Sequence, residues 1–127
     1  MKKIIDTKNA PAPIGPYSQA VRAGNMIYLS GQIAIDPESE EIAEGSITDE
    51  TNQIMKNIAA ILDAEGLDFG AVLKTSIFLT DMSFFSEVNS EYAKWFKADF
   101  PARETVQVSG LPKGVRVEIS MIAFDNK

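Results

Sequence analysis

An arginine and a glutamate near the C-terminal end are the residues of this chain best suited to chemistry. Arg103 stands in Phe100-Pro101-Ala102-Arg103-Glu104-Thr105-Val106-Gln107-Val108, where a proline leads into a β-branched run. A guanidinium presents a planar fork of donors that grips both oxygens of a carboxylate. Glu118 stands in Val115-Arg116-Val117-Glu118-Ile119-Ser120-Met121-Ile122-Ala123-Phe124. Alternation there puts Val115, Val117, Ile119, Met121 and Ala123 on one face of a strand and Glu118 on the other. An anion clamp and a carboxylate able to move a proton make a minimal acid–base site.

The missing residue types narrow that chemistry. The 127 residues include no cysteine and no histidine. Disulfides, thiolate nucleophiles and zinc–thiolate centres are excluded. The commonest metal ligand and acid–base side chain is missing as well. Catalysis must run on carboxylates, arginine, lysine, tyrosine, hydroxyls or backbone groups. A formal net charge of −6 disfavours general attraction to nucleic acid or anionic membranes. No apolar run approaches the roughly 20 residues of a membrane span. Met1-Lys2-Lys3-Ile4-Ile5-Asp6 is not followed by the apolar stretch of a signal peptide. The expectation is one domain over residues 1–127, in the cytoplasm.

The elements that must position the two residues can be read from periodicity. Strands are expected at 3–6, 20–23, 26–30, 33–35, 71–79, 105–108 and 115–124. Gly24-Asn25 marks a two-residue hairpin turn. Three prolines within residues 9–18 leave that loop stiff and extended. Ile47, Ile54, Met55, Ile58, Ile61 and Leu62 recur at helical spacing, with Ser46 and Asp49 as a capping box and Gly66 as the stop. Phe84, Val88, Tyr92, Trp95 and Phe96 form the core stripe of a second helix, capped by Asp81 or Ser83. The resulting order is ββββ-α-β-α-ββ. Two helices cover only one face of such a sheet. Its other face, with Arg116, Glu118, Ser120, Ile122 and Phe124, mixes polar and apolar groups as an intersubunit surface does. A site built there lies between subunits.

Taken together, the segments resemble the RidA (YjgF) family, the reactive-intermediate deaminases. The likeness rests on Ala10-Pro11, Gly15-Pro16-Tyr17-Ser18-Gln19-Ala20, Ser30-Gly31-Gln32, Asn57-Ile58, Val88-Asn89, Pro101-Ala102-Arg103, Leu111-Pro112 and Val117-Glu118-Ile119, in the family's order. It implies an α+β, chorismate-mutase-like (bacillus-type) fold: a six-stranded mixed sheet with two helices on one face. It implies a homotrimer of barrel-like form with clefts between subunits. The implied reaction is hydrolysis of 2-imino acids or their enamine tautomers, such as 2-iminobutanoate and 2-iminopropanoate, to 2-oxo acids and ammonia. No cofactor and no metal are implied.

By position, the resemblance gives Arg103 the substrate carboxylate and Glu118 the attacking water. Tyr17 packs against the substrate, Ser30 and Gly31 line the cleft, and Asn89 lies near the site. Thr105 stands where some members carry cysteine and contributes partly through its backbone. Three departures stand out: Glu104 for a small hydroxyl residue, Ser120 for a second glutamate, and Ser39-Glu40 where a glycine is usual. Glu104 would add negative charge near the anion site. The rival readings are a small-carboxylate-binding regulatory protein, which needs Arg103 but not Glu118, and a translation inhibitor or endoribonuclease. The second sits poorly with the acidic charge and the missing histidine. A chaperone-like or regulatory partner role is a third.

Overall fold

The computed structural model describes residues 1–126. Six strands form one mixed sheet: β1 (Lys2–Ile5), β2 (Ala20–Ala23), β3 (Met26–Gln32), β4 (Val72–Leu79), β5 (Ala102–Gln107) and β6 (Val117–Phe124). Their spatial order is β1-β2-β3-β6-β4-β5. Every neighbouring pair is antiparallel except β4–β5. A parallel pair needs a crossover, and α2 (Phe85–Ala93) provides it; α1 (Ile47–Asp63) precedes β4. The expected α+β architecture is therefore present.

The two helices cover the face of β6 that carries Val117, Ile119, Met121 and Ala123. These pack with Ile54, Met55, Ile58, Ile61 and Leu62 of α1 and Val88 and Tyr92 of α2 in one buried core. The capping box of α1 is made in full: the Asp49 N–H donates to Ser46 Oγ and the Ser46 N–H to Asp49 Oδ2, both at 3.1 Å. Gly66, at φ 72°, closes the helix. Its N–H reaches the Asp63 carbonyl and that of Leu67 reaches Leu62, the paired bonds of a left-handed C-cap. Among the described residues, no helix is long and apolar enough to cross a membrane.

The structure corrects several expected boundaries. Residues 33–35 are no strand; only Ile35 forms an isolated bridge, with Ile42. The carbonyls of Ile33 and Ile35 accept instead from Asn57 Nδ2, at 3.3 and 2.9 Å. One side chain of α1 thus replaces a neighbouring strand, and the order is βββ-α-β-α-ββ. β5 starts at Ala102 rather than 105, directly after Pro101, which has no N–H to give a ladder. Arg103 is therefore inside the strand. Trp95 and Phe96 lie beyond the end of α2 but still pack on the core. Asp81 caps a 3₁₀ turn, Met82–Phe84, that precedes α2. Glu40, in the turn that departs from the family's usual glycine, takes φ 62°, a left-handed conformation costly for a side-chain-bearing residue.

Among the described residues, no helix lies on the other face of the sheet. There the ladder sets Phe78 beside Glu118, Ser76 beside Ser120 and Tyr28 beside Ile122. Tyr28, Val106 and Phe124 on this face are exposed.

Candidate functional site

Glu118 opens into a cleft of about 320 Å³ between the proline-rich loop and the end of β3. Pro11, Ile14, Ile33 and Pro112 give it apolar lining, Ser30, Gln32 and Glu118 polar lining, and Tyr17 and Gly31 also line it. Gly31 is required by the glutamate itself. A Cβ there would come 2.5 Å from Glu118 Oε2, so any larger residue displaces the carboxylate. β3 also slips register between Leu29 and Gln32, the bulge that brings this backbone against Glu118. Burial pushes the Glu118 carboxyl above the usual carboxylate range, because the charged form loses solvation. Ser30 lines the cleft, yet its hydroxyl is committed to the Ser18 carbonyl at 2.6 Å. It ties the loop to the sheet.

Arg103 belongs to a different cavity. In the parallel ladder it lies opposite Thr75, a fully buried residue of the helix-covered face. Its guanidinium carbon lies 5.2 Å from the Tyr92 ring centroid and 5.6 Å from that of Phe85, and Nη1 donates to Asn89 Oδ1 at 2.8 Å. Phe85, Asn89 and Tyr92 follow one another along one face of α2 at spacings of four and three residues, so a single helical stripe cradles the cation. The Tyr92 hydroxyl is anchored on Thr75 Oγ1 at 2.9 Å. Beside this cradle is a cavity of about 410 Å³ lined by Asn89, Tyr92, Ala93, Phe100, Pro101 and Arg103. Thr105 lies two residues on, with Oγ1 buried and unpartnered.

The seven expected site residues therefore fall into two groups. Tyr17, Ser30, Gly31 and Glu118 share one cleft; Asn89, Arg103 and Thr105 lie at the other edge region of the sheet. Within one chain Arg103 and Glu118 are on opposite faces and do not meet. Glu104 is on Glu118's face, not Arg103's. It is hydrogen-bonded by Ser76 and ion-paired with Lys74 at 3.0 Å. Ser76 and then Lys74 hold its carboxyl below the usual range, so its charge is both turned away from Arg103 and offset. Sequence reasoning missed Gln19, Asn57, Phe85 and Tyr92 as framework of the site. The one available signal was the proline-rich loop, whose carbonyls need donors from outside any ladder. Among the described residues, no group of three or more acidic, His or Cys side chains could hold a metal ion.

Relatives match the chain over almost its whole length. The family model described as Endoribonuclease L-PSP matches residues 7–125. A RutC family protein of Pyrococcus horikoshii is 50% identical over 124 residues, 98% of each chain. The 2-iminobutanoate/2-iminopropanoate deaminase of Homo sapiens is 46% identical over 124 residues, 98% of this chain and 90% of its own length. The crystal structure of E. coli TdcF with bound serine superposes with a TM-score of 0.93 at 40% identity, over 98% of this chain and 99% of that one.

Proposed function

This chain belongs to the Endoribonuclease L-PSP family, the RidA family its motifs resemble, and from that premise we propose that it hydrolyses 2-imino acids and their enamine tautomers to 2-oxo acids and ammonia. The names of its relatives support imine deamination, and a relative with bound serine supports a pocket for small amino-acid-like carboxylates. The observation that carries the reading is the division of the site. One chain offers an anion clamp without a base and, on the opposite face, a base without an anion clamp. Apposition of a second copy's Arg103 region to the Glu118 cleft makes the pair complete. A homotrimer does this three times and also covers the helix-free face. The imines would come from cytoplasmic pyridoxal-phosphate dehydratases of serine and threonine.

In this mechanism Arg103 of one subunit holds the substrate carboxylate, and Tyr17 packs on the substrate. Glu118 of the neighbouring subunit accepts a proton from water as its oxygen bonds to C2 of the protonated imine. The resulting carbinolamine then takes that proton on nitrogen. The C–N bond breaks as ammonia leaves, and the hydroxyl proton passes to the Glu118 carboxylate, leaving the 2-oxo acid. The proton then goes from Glu118 to the departing ammonia or to solvent. A carboxyl whose pKa is raised toward neutrality serves both transfers better than an ordinary one. The route needs only groups of the chain and water.

The direct test couples the protein to a threonine dehydratase and follows 2-oxobutanoate where spontaneous hydrolysis is slow. Release accelerates in proportion to added protein, whose size in solution corresponds to three subunits. No acceleration by an assembled protein would leave carboxylate binding as the function. The cradle makes a finer prediction. Asn89→Ala removes one hydrogen bond that orients Arg103, worth about 1–1.5 kcal/mol. KM for the imine then rises roughly fivefold to tenfold while kcat stays within about twofold. A fall in kcat at constant KM would place Asn89 in the chemical step instead.

A further inference from the structure

We propose that Gln19 is a positioning residue of the Glu118 cleft, fixing the proline-rich wall and Tyr17 relative to the glutamate. Gln19 is 1% exposed, and its carboxamide is fully engaged. Oε1 accepts from the Thr7 N–H at 2.7 Å. Nε2 faces the carbonyls of Thr7, Ala10 and Pro11 at 3.0, 3.3 and 2.9 Å. All four partners belong to the loop that runs directly into Ala12, Ile14 and Tyr17 of the cleft wall.

The loop cannot hold itself. Pro11, Pro13 and Pro16 have no N–H to donate, so no ladder or helix is available to fix it. Tyr17 adds little; it is 47% exposed, with its hydroxyl accepting from the Ile14 N–H at 3.3 Å and its own N–H on the Gly15 carbonyl at 2.9 Å. Those contacts stay within the loop and do not relate it to Glu118. That relation runs through the β2–β3 edge. The Gln19 carbonyl accepts from the Ser30 N–H at 3.0 Å, and Ser30 adjoins Gly31, against which Glu118 lies. Gln19 thus grips the loop with its side chain and the glutamate's strand with its backbone. A glutamate at this position would face three carbonyls with no donor, and a methionine would leave them unpaired at nearly unchanged volume.

The test combines hydrogen exchange with kinetics; only the kinetic arm rests on the imine-hydrolase reading. In Gln19→Met, amides of residues 7–17 exchange about tenfold faster than in the wild type, while those of β3 and β6 are unchanged. kcat/KM for 2-iminobutanoate falls roughly tenfold, but Gln19→Met added to Tyr17→Ala costs less than about twofold more, because the wall it positioned is gone. Unchanged exchange in 7–17, uniformly faster exchange over the whole sheet, or a full additional loss in the Tyr17→Ala background would each overturn the assignment. If Gln19→Met does not fold, Thr7→Pro removes the donor to Oε1 at the loop alone, and the same segment is expected to loosen by a smaller factor. A wild type without imine hydrolysis would defeat the functional reading and leave the exchange result to decide this one.

Discussion

Arg103→Ala lowers kcat/KM for 2-iminobutanoate by roughly 10²–10³-fold, with the assembly and the fold retained. A guanidinium bound at two points to a substrate carboxylate is worth about 3–4 kcal/mol when that contact is shielded from water, and each 1.4 kcal/mol is about a factor of ten. The structural loss is of a different kind. Arg103 is half-buried, and what disappears is its stacking on Phe85 and Tyr92 and one bond to Asn89, contacts each worth about 0.5–1.5 kcal/mol at such a site. Their loss lowers the melting temperature without unfolding the protein. Arg103→Lys restores little, since a point charge lacks the planar fork and cannot stack in the cradle in the same way. The check is steady-state kinetics beside light scattering and a melting curve. Wild-type turnover in a folded, assembled Arg103→Ala protein would remove Arg103 from the site.

How the site is divided was legible only on Glu118's side. Strict alternation from Val117 to Ala123 put Glu118 opposite the core, as found. The face of Arg103 depended on the parallel register of β5 on β4, with Thr75 opposite Arg103. No local pattern encodes that register, because a crossover joins the strands and Pro101 obscures where β5 begins. The error at 33–35 has the same origin. Ile33-Ala34-Ile35 alternates like a strand, but Asn57, more than twenty residues away, takes its carbonyls. Local chemistry, by contrast, was read well: the Ser46/Asp49 box, the Gly66 stop and the Gly24-Asn25 turn all stand where expected. The departure at Glu104 took on a different meaning once the register was known. Glu104 and Ser120 both flank Ser76 on the helix-free face, so the two departures lie in one row across the sheet rather than at the anion clamp.

Glu118→Gln is expected to cut kcat by about 10²–10⁴-fold, the contribution of a positioned general base, and to make the protein more stable. The two effects have one cause. Burial raises the Glu118 pKa in the folded state, so the folded protein binds its proton more tightly than the unfolded chain. That stability is complete below the unfolded-state value of about 4.3 and is lost as pH rises through the higher folded value. A glutamine has no such loss, so Glu118→Gln melts higher than the wild type near neutral pH, and the difference disappears in acid. Activity runs the opposite way: the base works as a carboxylate, so wild-type kcat/KM rises with pH through the same raised pKa and then levels. Mixing the two inactive variants decides whether the base and the clamp act across subunits. In trimers reassembled from equal amounts of Arg103→Ala and Glu118→Gln chains, about a quarter of the interfaces pair an intact Arg103 with an intact Glu118, and about a quarter of wild-type activity returns. If both residues served one site from one chain, every site would lack one of them and the mixture would stay inactive.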